Sequence, residues 1–357
     1  MHSKKRIIQI AIISVAVTLL FGAVFFIIKN YGKDESTKRS RRSTPDLKTL
    51  NRSEEFDIPD ITNTDVDGDI CNCMTPQGIC VAGDYILITA YCNIESYKEE
   101  LNRSPYTTDN IEKIDCEQNH ERHNSVMYVL DGYSKEHIST LVFDDKSHVG
   151  GITFDGTYVW VAKGGNCKIE AYSYSYLERL IQQDAKSVEL GKPQYEFKGE
   201  CTASFLTYYN GCIWVGTFNS DPYRSGVLIG YAISHERGLR CLNTYKIIEI
   251  PPQANGAAFV EVDGTTYLAI TTSYGRNNNS CLYIYDVVFT IESVLELNAC
   301  KIMELPPMAE EICVAGDNMY FLFESGSTAY SSLENNKCEN VVNTVRVNNI
   351  RELIYMQ

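Results

Sequence analysis

A short hairpin signature recurs five times along this chain, and it limits the fold more than any other feature. Each copy runs from small or polar residues into an apolar strand, a two-residue turn and a second apolar or aromatic strand. The copies begin at Thr75, His148, Cys201, Gln253 and Met308. Their turns are Gly83-Asp84, Asp155-Gly156, Asn210-Gly211, Asp263-Gly264 and Gly316-Asp317. Because Gly, Asn and Asp tolerate the positive φ of tight hairpin turns, these pairs predict five β-hairpins.

The spacing of the hairpins predicts the architecture. The turn glycines follow one another at steps of 73, 55, 53 and 52 residues. A period near fifty that is built from strands indicates a β-propeller, and two more apolar segments after each hairpin supply four strands per blade. We therefore expect an all-β fold, a five-bladed β-propeller of four-stranded blades, over residues 55–357. The predicted blades are residues 70–146 with a polar insertion at 93–123, 147–200, 201–252, 253–307 and 308–357.

Finer elements of the propeller are also predicted. In the last copy, residues 327–332 (STAYSS) and 343–347 (NTVRV) are the expected third and fourth strands. A closed ring needs one more segment to pair with an open edge, and either Phe56–Thr62 or the C-terminal Ile350–Met356 can do so. The helical spacing of apolar residues predicts a short amphipathic helix near 176–185.

The N-terminal region differs from the rest of the chain. Residues 7–28 are an apolar run long enough to cross ~30 Å of hydrocarbon as a helix. The run continues into Lys29 without a small-residue cleavage pattern, which favours a single-pass transmembrane anchor over a removed signal peptide. Residues 1–6 are then a cytoplasmic tail and 29–54 a polar stalk. Basic residues flank both ends of the run, so the positive-inside rule is nearly balanced. We place the propeller on the extracytoplasmic side of the cell membrane, because the short tail does not need translocation.

Charge and cysteine content narrow the possible partners and compartment. Residues 1–42 hold nine Lys/Arg and two Asp/Glu. Residues 43–357 therefore hold 23 Lys/Arg and 44 Asp/Glu, which gives them a net charge of −21. A domain this acidic is expected to repel nucleic acid and to suit cationic partners, or simply to be soluble. All thirteen cysteines follow the apolar run, which fits an oxidising compartment, and their odd number leaves at least one unpaired.

Several cysteines have specific candidate roles. A cross-strand bridge between Cys281 and Cys300 is possible within one blade. Four further cysteines surround the insertion and can staple it: Cys71, Cys73, Cys92 and Cys116. Cys80 and Cys313 occupy the same repeat position on innermost strands, where free thiols pack as small apolar groups. Cys116, His120 and His123 suggest a zinc site, for which a polar loop is the alternative.

The innermost strands of a propeller converge on one central channel, so residues at one repeat position form a ring. Aligned on their hairpins, the copies place Gln77, Asn255 and Glu310 at one level, with His148 and Glu311 close by in the repeat. Strand alternation predicts that only one of the two adjacent carboxylates points inward. Such a set can hold a divalent cation, bind a small polar ligand or act in acid–base chemistry, or it can simply hydrogen-bond backbone and water along the axis.

A second candidate region is the rim of the channel, which the ends of the second strands reach. Its side chains are Tyr91, Lys163, Phe218, Tyr274, Arg276 and Glu324. Arg276 in the polar loop SYGRNNNS and Glu324 in FESGS can bind a charged ligand or a protein loop at the channel mouth. Alternatively, Arg276 pairs with acidic neighbours. No Walker loop, nucleophile elbow or dinucleotide fingerprint is present in the sequence.

The segments HVGGITFDGTYVWVA, SYGRNNNSCLYIYD and PPMAEEICVAGDNMYFLFES resemble those of exported bacterial propeller proteins without assigned activity, over residues 70–350. Senescence-marker-type lactonases are similar in general plan. Their likeness implies a channel-bound metal with Glu310 and Asn255 as two ligands, although the Asp that would be a third ligand has no match. Plant-type glutaminyl cyclases are similar through Ala309-Glu310-Glu311 and Phe323-Glu324-Ser325, while the rest of that family's pattern is absent.

These observations lead to one functional hypothesis and two alternatives. We expect a membrane-anchored extracytoplasmic propeller that binds a small polar ligand or an extracellular protein at its central channel. The first alternative is a channel-sited enzyme, a metal-dependent lactonase-like hydrolase or a glutaminyl-cyclase-like enzyme, with Glu310 as its catalytic residue. The second is a scaffold whose acidic surface is its whole function.

Overall fold

The computed structural model describes residues 54–59, 61, 63–94, 122–165, 167–236, 239–288, 297–332 and 336–356. The first strands are β1 (Glu54–Asp57), β2 (Thr64–Val66) and β3 (Asp69–Cys71). Blade 1 contains β4 (Met74–Ala82), β5 (Tyr85–Cys92), β6 (Val126–Asp131) and β7 (His137–Val142). Blade 2 contains β8 (Gly151–Phe154), β9 (Tyr158–Ala162), β10 (Lys168–Ser173) and β12 (Tyr195–Lys198). Helix α1 (Tyr174–Ile181) and strand β11 (Ser187–Glu189) lie between β10 and β12 in the chain.

The remaining blades follow the same plan. Blade 3 contains β13 (Phe205–Tyr209), β14 (Cys212–Gly216), β15 (Gly226–Glu236) and β16 (Leu239–Ile250). Blade 4 contains β17 (Ala254–Val262), β18 (Thr265–Thr272), β19 (Ser280–Val287) and β20 (Leu297–Leu305). Blade 5 contains β21 (Ala309–Ala315), β22 (Asn318–Phe323), helix α2 (Thr328–Ser331) and β23 (Thr344–Asn349), followed by helix α3 (Ile350–Tyr355).

The predicted five-bladed propeller is confirmed by the pairing of these strands. Each blade is an antiparallel sheet of four strands, and β11 adds a parallel fifth strand to the outer edge of blade 1. The innermost strands contact one another in the cyclic order β4, β8, β13, β17, β21 and back to β4. At the predicted turns, Gly83 (φ +56°) and Asn210 (φ +49°) are among the residues with the left-handed backbone that selects Gly and Asn.

Blade 5 closes the ring in a way that the sequence predicted only in part. Strand β1 pairs antiparallel with β23, and Phe56 lies opposite Val345. The N-terminal alternative is therefore confirmed, although the paired residues are 54–57 rather than 56–62, so Glu54, predicted as the last residue of the stalk, belongs to β1. The C-terminal alternative is wrong, because residues 350–355 form helix α3.

Two further predictions for local structure have different outcomes. The segment 327–332 is not a strand, because residues 328–331 form helix α2, and the segment at 343–347 is consequently the third strand of blade 5 instead of the fourth. The predicted helix near 176–185 is confirmed as α1, which begins at Tyr174. The side chain of Ser173 caps this helix by accepting a hydrogen bond from the backbone N–H of Tyr176.

Apolar side chains fill the wedges between neighbouring blades. Among the described residues, five clusters of buried apolar groups each join two adjacent blades, including the pair formed by blades 5 and 1. Trp160 on β9 and Trp214 on β14 are almost fully buried in two of these clusters. Because each cluster is shared between two sheets, the blades stabilise one another and the ring positions the channel residues rigidly.

Several predictions for the N-terminal part fall on residues that the structure does not describe. These are the tail 1–6, the apolar run 7–28, most of the stalk 29–54 and most of the insertion, residues 95–121. Within the part of the chain that is described, no helix has the length and apolar character needed to cross a membrane.

No disulfide bond occurs among the described cysteines. The proposed bridge between Cys281 and Cys300 is wrong, because Cys281 is a free thiol that lies opposite Glu304. Cys300 follows Ala299, the partner of Tyr285, so the two cysteines are displaced along the ladder by about 10 Å, beyond disulfide reach. Cys80 and Cys313 are free thiols on innermost strands, as predicted. The predicted disulfide staple is not formed among Cys71, Cys73 and Cys92, although Cys71 and Cys92 lie close together, and its fourth member, Cys116, lies outside the described residues.

Candidate functional site

β-Bulges at the beginning of three innermost strands bring the predicted ring residues to one mouth of the channel. The strand register shifts between Pro76 and Gly78 in blade 1, between Ala254 and Gly256 in blade 4, and between Ala309 and Ile312 in blade 5. The residues within these shifts are Gln77, Asn255, Glu310 and Glu311. A bulge leaves its extra residue outside the ladder and redirects the side chain, so these polar groups turn from the sheets toward the axis.

Two carboxyl groups form the centre of the site. The side chains of Glu310, from β21, and Glu324, which follows β22, are hydrogen-bonded to each other. The Nδ2 of Asn255 donates to Oε1 of Glu310 at 3.1 Å, and the Nε2 of Gln77 donates to Oε2 of Glu324 at 3.0 Å. Two carboxyl groups in contact in a desolvated site repel each other when both are ionised, so the pair favours a state with one proton, while an amide fixes each partner.

The environment separates the acidities of the two groups. Burial raises the pKa of Glu310 well above its ordinary value, and the neighbouring charge of Glu324 adds to this effect. Burial also raises the pKa of Glu324, to about 7, against the lowering effects of Gln77, the bond to Glu310 and the charge of Arg276. The stronger rise is on Glu310, so Glu310 holds the proton of the pair more firmly than Glu324 does.

Aromatic residues form one wall of the mouth. The hydroxyl groups of Tyr91 and Tyr330 are hydrogen-bonded to each other, and the Nδ2 of Asn93 donates to Tyr330 Oη at 3.0 Å. Burial raises the pKa of both tyrosines, and the negative charge of Glu324 raises it further. Both hydroxyls consequently stay protonated at neutral pH and can serve as hydrogen-bond donors. The Cζ of Arg276 lies 5.0 Å from the ring centre of Tyr330, within cation–π range.

His148 extends this wall from blade 2. Its ring centre lies 4.5 Å from that of Tyr91, at an interplanar angle of 45°. The side chain is exposed at the mouth. Desolvation by the surrounding protein and, to a smaller extent, the positive charge of Arg122 lower its pKa to about 4. His148 is therefore a neutral imidazole at physiological pH, able to accept or donate one hydrogen bond.

Glu311 has a structural role at the axis. Its carboxylate accepts hydrogen bonds from the backbone N–H groups of Ile79 and Ile152 at 2.9 Å and of Leu206 at 3.0 Å, which belong to three different blades. A Cβ on Gly78 or Gly151 would lie within 3 Å of this carboxylate, so the small residues of the ring make room for it. Burial raises the pKa of Glu311, and the three amide donors oppose that rise.

The prediction that only one of the two adjacent glutamates points inward is wrong, because the bulge interrupts the alternation of side chains. Glu310 reaches the mouth and Glu311 crosses the axis. On the far side of Glu311 lies a cavity of about 200 Å³, lined by residues that include Cys80, Phe259 and Cys313. Glu311 and its amide partners thus stand between the polar mouth and this second compartment.

The structure brings together most of the predicted site residues. Gln77, Asn255, Glu310 and Glu324 are in direct contact, and His148 and Arg276 reach the same mouth through the two tyrosines. Other proposed rim residues lie elsewhere. Lys163 is buried against Asp145, with Nζ–Oδ1 at 2.9 Å, and Phe218 and Tyr274 are exposed.

Sequence reasoning missed Tyr330 and Asn93. Tyr330 was assigned to a strand, whereas it lies on helix α2 and faces the channel mouth. A usable signal was the length of the segment between β22 and β23, which exceeds what a hairpin needs and can therefore bring a side chain over the channel.

Comparison with known proteins gives no family assignment. No protein-family model matches the chain, and no curated protein matches it. Among solved structures, the chain is similar to a glutaminyl cyclase of Myxococcus xanthus, with 8% identity, coverage of 83% of this chain and 94% of the other, and a TM-score of 0.44. It is also similar to a chain of a nidogen/laminin complex, with 11% identity, coverage of 70% of this chain and 72% of the other, and a TM-score of 0.32. A third similar structure is hydrazine synthase of Kuenenia stuttgartiensis, with 8% identity, coverage of 78% of this chain and 87% of the other, and a TM-score of 0.35.

Proposed function

We propose that the propeller is a binding module for a small polar ligand that carries a primary ammonium group, held at the channel mouth by Glu310 and Glu324. The observation that supports this proposal is the pair of desolvated carboxyl groups at the mouth, each held by an amide and together favouring a state with one proton. An ammonium group has three donors and a positive charge, so it can replace that proton and satisfy both carboxylates.

The surroundings favour a small ligand over a protein loop. Gln77 and Glu310 retain only 3% and 7% of their accessible surface, so a partner must enter the mouth to contact them. The rings of Tyr91 and Tyr330 offer hydroxyl groups and apolar surface beside the carboxyls, which suits a compact polar molecule. A protein partner would contact mainly the exposed rim.

The proposal makes binding dependent on pH with a defined sign. Below the pKa of Glu324, about 7, the pair gains a second proton and loses the negative charge that attracts the ammonium group. Because the ammonium group replaces the proton of the pair, binding releases one proton above pH 7 and two below it. Affinity should therefore increase with pH, by up to tenfold for each unit above pH 7 and more steeply below it.

The test is a thermal-shift screen of the purified protein with small primary amines, namely amino acids, amino sugars and polyamines, each paired with its hydroxyl counterpart. An amine that binds should raise Tm, since a ligand at a hundred times its Kd stabilises the folded state by about 2.7 kcal/mol. The increase should vanish in Glu324→Gln and persist in Glu249→Gln, which alters an exposed carboxylate on the outermost strand of blade 3. Equal stabilisation by the hydroxyl counterparts, or its persistence in Glu324→Gln, would contradict the proposal.

A second candidate function is acid–base catalysis in the same mouth. The supporting observation is that burial raises the pKa of Glu310 well above its ordinary value beside Glu324, whose pKa of about 7 suits proton transfer at neutral pH. Any amine found in the screen should be incubated with the protein and followed by NMR. Conversion by the wild-type protein that is lost in Glu310→Gln, with binding retained, would favour the enzyme over the binding module.

Anchoring through residues 7–28, with the propeller outside the cell, is part of the proposal. It rests on the length of the apolar run. Retention of the full chain in membranes after alkaline extraction, together with cleavage of the propeller by protease added to intact cells, would support it. Release of the chain by alkali would contradict it.

A further inference from the structure

Three potential metal ligands converge at the base of the insertion in blade 1, away from the pair of carboxyl groups. Cys71 is the last residue of β3, Cys92 is the last residue of β5, and His123 lies shortly before β6. One ligand atom from each of these residues lies within 4.8 Å of the others. Both cysteines are buried and the histidine is half-buried. Three separate segments thus direct sulfur and nitrogen ligands to one point.

The orientation of the histidine supports a role as a metal ligand. Its Nδ1 faces Cys92 Sγ at 4.0 Å, while its Nε2 lies 3.2 Å from Oδ2 of Asp69. Histidines that bind metals commonly donate the second ring nitrogen to a carboxylate, which fixes the tautomer and the direction of the ring. Asp69 occupies this outer position, so Nδ1 is the nitrogen directed at the sulfurs.

The cysteine side of the cluster is also suited to a cation. The thiol of Cys92 lies between the other two groups, in contact with the side chains of both Cys71 and His123. The Nε of Arg122 donates to the carbonyl oxygen of Cys92 at 2.9 Å and holds the end of the strand in place. The thiolate is the form of cysteine that binds metals, and two thiolates with one imidazole are typical ligands of zinc.

We propose that Cys71, Cys92 and His123 bind a zinc ion, or another thiophilic divalent cation, in a structural site. Ligands at 2.0–2.3 Å from a tetrahedral ion lie about 3.8 Å or less from one another, so modest rotamer changes suffice to bring these atoms into coordination. A water molecule can take the fourth position. This site is independent of the proposed ligand at the channel mouth.

The ion would fasten the insertion to the propeller. Cys92 and His123 are close to the two ends of the insertion, and Cys71 belongs to the β2–β3 hairpin. That hairpin is already attached to blade 1 through the hydrogen bond between Thr64 Oγ1 and Tyr128 Oη, at 2.6 Å. A shared metal would therefore close the loop between residues 92 and 123 and join it to the hairpin, with a gain in stability.

The experiment measures metal content and coordination in the reduced full-length protein. Elemental analysis after zinc loading and desalting should give about one equivalent of zinc more than in the ligand variants Cys92→Ser and His123→Ala. Replacement by cobalt should give the charge-transfer absorption of thiolate-bound Co²⁺ and the visible bands of tetrahedral geometry. Both signals should be lost in Cys92→Ser and in His123→Ala. Cys212→Ser should retain them, since it changes a buried strand cysteine in another blade.

A second variant guards against loss of folding in the ligand mutants. Asp69 is exposed, and Asp69→Asn should leave the fold intact while it weakens metal binding by about 10–100-fold, as expected for an outer-shell partner. A folded, reduced protein that shows no cobalt–thiolate absorption at saturating metal would overturn the proposal. So would peptide mapping that finds a disulfide between Cys71 and Cys92 in a protein that binds no metal after reduction, or zinc retained in full by Cys92→Ser.

Discussion

Replacing Glu311 by alanine should destabilise the propeller more than the loss of an ordinary buried side chain. The carboxylate accepts one backbone hydrogen bond from each of blades 1, 2 and 3, through Ile79, Ile152 and Leu206. Without it, three buried N–H groups lose their acceptor, at a cost of about 1–3 kcal/mol each. Part of this cost is offset, because the variant no longer has to bury a carboxyl group and because water can enter the space and accept hydrogen bonds from the N–H groups.

We therefore expect Glu311→Ala to lower the free energy of unfolding by about 3 kcal/mol or more, out of a total of about 5–15 kcal/mol for a folded domain. Glu311→Gln should cost less, about 1–3 kcal/mol, because its one carbonyl oxygen can still accept the two bonds that Oε2 now accepts from Ile79 and Ile152. The order Glu, Gln, Ala in decreasing stability is the signature of an acceptor role.

The assay is urea denaturation of the full chain at constant pH, combined with hydrogen exchange at the three amides. Exchange at Ile79, Ile152 and Leu206 should accelerate in the alanine variant, whereas Glu249→Ala, on the exposed face of an edge strand, should change stability by less than about 0.5 kcal/mol. The reasoning would be refuted if Glu311→Ala unfolded at the wild-type urea concentration with unchanged exchange at these amides.

Further predictions concern closure, packing and titration. Phe56→Ala should lower the free energy of unfolding by about 1–2 kcal/mol in urea titrations, since this half-buried ring packs on the closing edge of blade 5; an unchanged midpoint would argue against closure by β1. Gly216→Ala should lower the free energy of unfolding by about 1–3 kcal/mol, because the new Cβ would overlap the ring of Phe205, whereas Gly165→Ala, with open space around it, should be nearly neutral. Because the pKa of Glu324 is raised to about 7, the folded state keeps a proton that the unfolded state releases above pH 4.5. The free energy of unfolding should therefore fall as pH rises from about 4.5 to 7, and Glu324→Gln should reduce this slope. Parallel slopes in the two proteins would contradict the titration of Glu324.

Much of the fold could be predicted because its signals are local. The turn pairs select positive φ at five places, and their regular spacing implies repetition of one sheet unit. Alignment of the copies also placed Gln77, Asn255 and Glu310 at one level, and these residues do converge with Glu324 at one mouth. Equivalent positions in a closed ring become neighbours whatever their separation along the chain.

The contacts that give the site its chemistry were decided by the tertiary structure. A bulge in β21 turns both Glu310 and Glu311 inward, and alternation in the sequence predicts the opposite. Tyr330 reaches the mouth from a helix, where the sequence predicts a strand. Cys71 meets Cys92 and His123 only because the ends of β3 and β5 lie near the beginning of β6. Turn chemistry depends on a few neighbouring residues, and the repeat length is the spacing of those turns along the chain, so the sequence by itself determines both. Bulge position, burial and the pairing of two carboxyl groups depend on what the other blades place opposite, and they exist only after the ring has closed.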